Sequence, residues 1–241
     1  MTDADLAALL ARTAGQLLMT LRESGTASGK TLGNIGDATA NSYLVHALHA
    51  LRPDDGLLSE ERVDDLARLE KSRVWIIDPL DGTREYSEGR EDWAVHVALS
   101  IDGHAAVGAV ALPAQGLVLR SDRPAPQAQR PERPRLLVSR TRPPPECTLL
   151  QERLGAEMVP MGSAGAKAMA VVLGQGDIYF HTGGQHQWDN AAPVAVALGA
   201  GMVATRVDGS PCRYNARETL LPDLLICAPE WEAPVRAALA E

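Results

Sequence analysis

The sequence lacks an excess of positive charge. It carries 23 lysines and arginines against 31 aspartates and glutamates, which gives a formal net charge of -8. A protein that binds nucleic-acid polymers nonspecifically needs a basic face to neutralise phosphates, so that function class is disfavoured. Lysine is especially scarce, since only Lys30, Lys71 and Lys167 occur. A small phosphorylated molecule can still bind in a locally basic pocket.

Cysteine is also rare. Cys147, Cys212 and Cys227 are scattered and form no CxxC pair, which argues against a disulfide framework and a zinc site. The opening MTDADLAALLARTAGQLLMTL lacks the basic start of a signal peptide. No uninterrupted apolar run reaches the length that spans a bilayer. We therefore expect a cytoplasmic protein, in a reducing compartment, with no membrane partner.

The remaining patterns predict two lobes. Apolar residues at helical spacing predict a helix over residues 3–22, then a Gly/Ser/Thr-rich loop and a second helix from about Ala38 to Leu51. The segments GLLSEE, VWIID, WAVHVALSI and HAAVGAVALP read as strands. A proline- and arginine-rich segment, residues 121–135, predicts a linker or loop. It separates an N-terminal α+β lobe (residues 1–120) from a C-terminal α/β lobe (residues 136–241).

The stretch VWIIDPLDGTREY contains two aspartates three residues apart. Pro79 removes a backbone donor, so the strand is expected to stop at Asp78. Asp81 and Gly82 favour a turn, and Thr83 is suited to cap a helix whose N-terminus could receive a phosphate. Two close carboxylates repel each other unless a cation lies between them. Hard oxygen ligands favour Mg²⁺ or Ca²⁺ over zinc.

Two further acids change how this aspartate pair is interpreted. The segment DPLDG alone is more typical of a plain loop than of a metal site. However, LLSEE places Glu60 at another strand end, and HQWDNAAP places Asp189 at the start of a helix. Taken singly, Glu60 is typical of a solvated acid and Asp189 of a helix N-cap. Together with the aspartate pair, they predict a metal centre.

Four motifs in combination, LSEE, WIIDPLDGTREY, GSAGAKAM and QWDNAAP, resemble those of the lithium-sensitive, magnesium-dependent phosphomonoesterases of the inositol monophosphatase superfamily. The resemblance covers nearly the whole chain. DGTREY is similar to the form found in the CysQ branch, the 3'(2'),5'-bisphosphate nucleotidases that hydrolyse 3'-phosphoadenosine 5'-phosphate (PAP) to AMP and phosphate in sulfur metabolism. The resemblance implies a layered αβαβα sandwich, of mixed α+β and α/β character, like that of inositol monophosphatase and fructose-1,6-bisphosphatase. It also implies a phosphorylated small-molecule substrate and allows a homodimer.

The resemblance assigns roles to individual residues. Two or three Mg²⁺ ions would be held by the side chains of Glu60, Asp78, Asp81 and Asp189 and by the carbonyl of Leu80, and would activate a water. The residues implied to be catalytic are Asp37, Glu60 and Thr83, with Asp37 and Thr83 orienting that water. Those implied to bind substrate are Gly82, Thr83, Gly162, Ser163, Ala164 and Lys167, the last of which is suited to a second phosphate.

Two positions depart from the family pattern. The approach to Asp37 reads NIGD where VTxAD is usual, and Gln187 stands where the nucleotidases often have glutamate. Of the histidines, only His186, close to Asp189, is kept as a neighbour of the site, and the others are interpreted as ordinary core or surface residues. Lys30, in the predicted loop, is interpreted as a solvated residue, with closure over the site as the alternative.

Two alternative functions stay open. A phosphatase of the same fold that acts on inositol 1-phosphate or fructose 1,6-bisphosphate would share the metal core. A non-catalytic protein that binds metal or polyphosphate is the alternative from another class, although pure binding would not need a threonine aimed at water.

Overall fold

The protein, described here from a computed structural model over residues 1–124 and 131–240, is built in five layers of alternating helices and sheets. This arrangement confirms the predicted αβαβα sandwich. Part of the predicted linker, residues 125–130, lies outside the described residues. The division into two lobes stays a prediction, although each of the two five-stranded sheets falls on one side of that segment. Among the described helices, none is long and apolar enough to cross a membrane.

The first two layers come from the N-terminal half of the chain. Helices α1 and α2 pack on a sheet whose strands follow chain order, with β1 parallel to β2 and the other neighbours antiparallel. The elements are α1 (Asp3–Glu23), α2 (Gly29–Leu51), β1 (Gly56–Ser59), β2 (Arg73–Asp81), α3 (Thr83–Ser87), β3 (Ala94–Ile101), β4 (His104–Leu112) and β5 (Leu117–Arg120).

The other three layers come from the C-terminal half. Its elements are β6 (Arg135–Ser139), α4 (Glu146–Leu154), β7 (Glu157–Met161), α5 (Ala164–Val172), β8 (Ile178–His186), α6 (Gln187–Gly199), β9 (Val203–Thr205), β10 (Leu220–Cys227) and α7 (Glu232–Ala240). The second sheet has the order β7-β6-β8-β10-β9. Helices α5 and α6 lie between the two sheets, and α4 and α7 cover the outer face. Three buried apolar clusters fill the spaces between layers, and one of them extends over both sides of α5 and α6.

Helix α2 begins earlier than the sequence predicts. Most of the glycine-containing segment read as a loop is helical, from Gly29 onward. Its glycines allow close packing: a Cβ on Gly33 would lie 2.7 Å from Thr83 Cγ2, and a Cβ on Gly36 would lie 3.1 Å from a methyl group of Leu80. Glycine here marks a near approach between elements, where the composition suggested a flexible turn.

The longer helix changes the position of two predicted residues. Asp37 lies within α2, on the side of the helix that meets Thr83. Lys30 belongs to the first turn of α2 and is exposed, in agreement with the interpretation as a solvated residue, whereas the loop that could have closed over the site is helical there.

Strand β2 also differs from its prediction, because it continues past Pro79 to Asp81. Asp78 pairs with His96 of β3 and Asp81 pairs with Ala94, so three steps along β2 oppose two along β3. This is a β-bulge, the position in a sheet at which proline is tolerated. Residues three apart on a regular strand face opposite sides. The extra residue turns Asp78 and Asp81 toward the same site.

Candidate active site

Three aspartates converge at the end of the β2 bulge. Asp78, Asp81 and Asp189 each offer a carboxylate oxygen, and these oxygens lie within 4.8 Å of one another. Asp189 is the third residue of α6 and accepts a hydrogen bond from the backbone N–H of His186 at 2.5 Å. Asp78 Oδ1 accepts from the N–H of Leu80 at 3.1 Å. The predicted convergence of β2 with the start of α6 is therefore present.

Glu60, at the end of β1, is not one of the three converging residues but lies next to them and contacts Asp78. The residue is exposed at the mouth of the site, but its carboxyl is hydrogen-bonded to Asp78. Loss of solvent around that carboxyl, followed by repulsion from Asp189, raises the pKa of Glu60 to about 7. Burial raises the pKa of Asp189 to about 6, with repulsion from Asp81 as the next cause. These carboxyls resist ionisation when no cation is near.

Asp78 is under the greatest electrostatic strain. It is almost fully buried, and burial followed by the negative charges of Glu60, Asp81 and Asp189 holds its pKa well above the ordinary value. A divalent cation would remove this repulsion, and a set of carboxylate oxygens is what a hard cation such as Mg²⁺ prefers. The donor set therefore fits a divalent cation held by oxygen ligands.

Asp81 behaves differently from its neighbours, although the sequence suggested that repulsion would dominate for both members of the pair. Its carboxylate accepts hydrogen bonds from Ser163 Oγ at 2.7 Å and from the N–H groups of Ala164 at 3.1 Å and Gly165 at 2.6 Å. Burial alone would raise the pKa of Asp81, but the nearby His96 and these donors lower it to about 2. Asp81 is ionised without a metal because helix α5 and His96 stabilise its charge.

The start of α5 is consequently occupied by protein groups. The hydroxyl of Ser163 accepts from the N–H of Ala166, and the N–H of Gly162 donates to Asp92 Oδ2 at 2.6 Å. Gly82 lies against this turn, since a Cβ on it would meet Ser163 Cβ at 3.0 Å, and its φ is +89°. The N–H groups expected to face a phosphate are thus partly used in fixing Asp81.

Thr83 and Asp37 meet beside the acidic cluster. The hydroxyl of Thr83 lies 3.4 Å from Asp37 Oδ1 and 3.2 Å from the carbonyl oxygen of Leu80, and it can donate its proton to either. Burial, followed by repulsion from Glu61, raises the pKa of Asp37 to about 7. A carboxyl with this pKa can accept a proton near neutral pH. The NIGD departure leaves Asp37 in contact with Thr83.

Lys167 lies under the first turn of α5. It is 5% exposed, its ammonium donates to the carbonyl oxygens of Gly162 and Ser163, and it lies 5.3 Å from the ring centre of Tyr179. Burial lowers its pKa to about 8. Lys167 also lines a cavity of about 210 Å³ with Arg84 and Arg142. The turn that binds Asp81 adjoins this cavity, because Gly162, which lines the cavity, immediately precedes Ser163.

Two other residues near the site have clear structural partners. Gln187 is fully buried and its amide donates to the carbonyls of Ala216 and Glu218 and accepts from the N–H of Asn215. A carboxylate could not donate, so glutamine suits this position. His186 stacks on Trp188, with ring centres 4.6 Å apart.

His96 is the site residue that sequence reasoning missed. It was interpreted as an ordinary histidine because it belongs to no metal-binding spacing, yet its Nε2 lies 3.2 Å from Asp81 Oδ2. The sequence did contain one indication of its role. His96 is the only ionisable residue in the strand WAVHVALSI, which lies beside the strand that carries the aspartates.

The comparisons with known proteins agree with one another. The model of the inositol monophosphatase family matches residues 3–240. The 3'-phosphoadenosine 5'-phosphate phosphatase of Mycobacterium leprae is 52% identical over 242 aligned positions, which cover 94% of this chain and 89% of that protein. The 3'(2'),5'-bisphosphate nucleotidase CysQ of Escherichia coli O157:H7 is 28% identical over 230 positions, with 88% and 94% covered. The crystal structure of CysQ from Bacteroides thetaiotaomicron has the same fold, with a TM-score of 0.78 at 24% identity, over 92% of this chain and 96% of that one.

Proposed function

This chain belongs to the inositol monophosphatase family, and we propose that it is a Mg²⁺-dependent phosphatase that removes the 3'-phosphate of PAP. The products are adenosine 5'-phosphate and inorganic phosphate. The substrate assignment is supported by two mycobacterial relatives, each 52% identical to this chain, that are named 3'-phosphoadenosine 5'-phosphate phosphatase. The observation that carries the reaction class is the convergence of Asp78, Asp81 and Asp189 beside the Thr83–Asp37 pair.

In this proposal, two or three Mg²⁺ ions are held by Glu60, Asp78, Asp81, Asp189 and the carbonyl of Leu80. When bound, such ions neutralise the phosphoryl oxygens and lower the pKa of a water. The raised pKa values of Glu60, Asp78 and Asp189 support this assignment, because a cation would make all three carboxylates favourable. Asp81, ionised in advance, supplies a fixed negative charge.

The chain's own residues orient and deprotonate the attacking water. Thr83 donates its hydroxyl proton to Asp37, which leaves the oxygen of Thr83 free to accept a hydrogen bond from the water. Asp37, with a pKa of about 7, takes up the proton that the water releases. Gly82 belongs to the substrate-binding residues of this proposal, and its positive φ forms the turn between Asp81 and Thr83.

The cavity beside α5 favours a substrate with a second phosphate. Among residues 1–124 and 131–240, neither Arg84 nor Arg142 has an ion-pair partner, whereas Arg140 of the same cavity is paired with Glu85 and Glu88. Two free guanidiniums and the charge of Lys167 suit a phosphate. Gly162 lines this cavity, and the two residues that follow it, Ser163 and Ala164, donate hydrogen bonds to Asp81 of the acidic cluster. Inositol 1-phosphate has no second phosphate to place there.

A phosphate-release assay tests the proposal. PAP, inositol 1-phosphate and fructose 1,6-bisphosphate are compared with saturating Mg²⁺ and with excess EDTA. We expect release from PAP above all, and none in EDTA. Glu60→Gln should be inactive, while Glu70→Gln, which removes the same charge from an exposed remote position, should match the wild type. Preference for inositol 1-phosphate, or activity that persists in EDTA, would refute the assignment.

The assembly state and location belong to the proposal as well. We expect a cytoplasmic enzyme, and a homodimer is the assembly that the proposal allows. In the phosphate-release assay, no release from any of the three substrates would favour the non-catalytic alternative. Light scattering on the purified protein measures the assembly state, and cell fractionation measures the location.

A further inference from the structure

His96 spans two motifs that are distant in sequence. The side chain is completely buried on β3, and its Nδ1 lies 3.0 Å from the carbonyl oxygen of Trp188, the residue before Asp189. Its Nε2 lies 3.2 Å from Asp81 Oδ2, at ion-pair distance, although the angle falls short of a well-formed hydrogen bond. One imidazole therefore touches the aspartate motif of β2 and the first turn of α6.

The GSAGAKAM motif at the start of α5 also packs against the imidazole of His96. A Cβ on Gly165 would lie 2.0 Å from His96 Nε2, a distance that no side chain could occupy with the imidazole in place. The N–H of Gly165 donates to the same Asp81 oxygen that faces His96. The absence of a side chain at position 165 thus lets α5 and His96 approach Asp81 together.

We propose that His96 is a positioning residue of the metal centre, which holds the Asp81 carboxylate and the α6 turn that carries Asp189 at the separation a divalent cation needs. Asp81 comes from the first sheet and Asp189 from a helix in the next layer, so their spacing depends on a contact between layers. His96 supplies that contact with one side chain. The inference deepens the proposed function, because it rests on the metal centre described there.

Residues that orient metal-binding carboxylates change metal affinity when they are removed, typically by about 10- to 100-fold. A histidine that only fills space in the core would change the stability of the protein and leave its affinity for metal intact. Affinity for Mg²⁺ alone, measured without substrate, separates the two roles.

The experiment is a calorimetric titration of the whole protein with Mg²⁺, in the wild type and in His96→Ala, His96→Gln and His96→Asn. We expect His96→Ala to weaken binding by about 10-fold or more. A glutamine amide nitrogen reaches roughly where Nε2 lies and an asparagine amide nitrogen roughly where Nδ1 lies. His96→Gln should therefore keep more affinity than His96→Asn, since only the former retains a polar group next to Asp81.

Ser100→Ala is the matched control. Ser100 is buried on the same strand and its hydroxyl has no hydrogen-bond partner among the described residues. Its loss should leave Mg²⁺ affinity at the wild-type value.

The outcomes separate the two claims. A wild type that binds no Mg²⁺ would refute the metal centre itself. A wild type that binds Mg²⁺ while His96→Ala binds it equally well or more tightly would overturn the positioning role alone. If His96→Ala does not fold, the comparison of glutamine with asparagine decides: greater affinity with glutamine supports the role, and equal affinities contradict it.

Discussion

Replacing Asp78 or Asp81 by asparagine should have opposite effects on the stability of the metal-free protein. Both changes remove one negative charge from the same cluster. Asp78 is buried among like charges, so its ionised form opposes folding. Asp81 is buried among donors, so its ionised form favours folding. Asp78→Asn should therefore stabilise the apo protein near neutral pH, and Asp81→Asn should destabilise it.

The magnitude for Asp81 follows from its pKa, which the fold lowers from 3.8 to about 2. A lowered folded-state pKa gives stability that is present above the unfolded pKa and lost as the pH falls through the folded pKa. At neutral pH the shift is therefore worth about 2 kcal/mol, since one unit is about 1.4 kcal/mol. For a chain of this size, that corresponds to a fall in Tm of roughly 4–8 °C.

Thermal melts of the wild type and both variants, with and without Mg²⁺, measure the effect. In the wild type, Mg²⁺ at about 100 times its Kd should add about 2.7 kcal/mol, and both variants should lose most of that gain. Two variants that shift the apo Tm in the same direction would show that the described electrostatics are wrong. An Asp81→Asn protein that keeps full Mg²⁺ stabilisation would remove Asp81 from the metal ligands.

Three further predictions concern pH, water and the second phosphate. The apo wild type should lose stability as the pH rises from about 4 to 7. The pKa values of groups such as Glu60 and Asp37 are raised in the folded state, and a raised pKa gives stability that is lost as the pH rises through it. Thermal melts across that pH range should show this loss without Mg²⁺ and not with it. Thr83→Val should lower kcat by about 100-fold or more with little change in Mg²⁺ affinity, and an unchanged kcat would exclude Thr83 from orienting water. Lys167→Ala should weaken PAP binding by about 1.5–3 kcal/mol and should weaken inositol 1-phosphate binding less. Inhibition constants measure both effects. Equal losses for the two ligands would mean that Lys167 only supports the fold. Arg142→Ala removes no side-chain hydrogen bond or ion pair among the described residues, so it is the cleaner test of the same cavity.

The acidic residues of the site were predictable because each lies next to a local signal. Glu60 follows a short apolar strand, Asp78 and Asp81 flank a proline, and Asp189 opens a helix. The ends of these elements meet in a layered fold, which is why separate motifs could be combined into one acidic site.

The parts that were wrong depended on contacts between distant segments. Gly33 and Gly36 were read as loop residues, and only the neighbouring Thr83 and Leu80 show why glycine is needed inside a helix. Pro79 was expected to end the strand, because a bulge in β2 depends on its register with β3. The different behaviour of Asp81 arises from His96 on the neighbouring strand and from donors 82 to 84 residues away in sequence. Local sequence patterns do not predict contacts between segments so far apart in the chain.

The central claim is that the acidic site directs water onto the 3'-phosphate of PAP. Its most direct test is mass spectrometry of the products formed from PAP in oxygen-18 water, with Mg²⁺ and with EDTA. We expect two products, unlabelled adenosine 5'-phosphate and inorganic phosphate that contains one oxygen atom from the labelled water. Both should form only when Mg²⁺ is present. Adenosine 3'-phosphate as the product, label in the nucleotide, or turnover in EDTA would contradict the central claim.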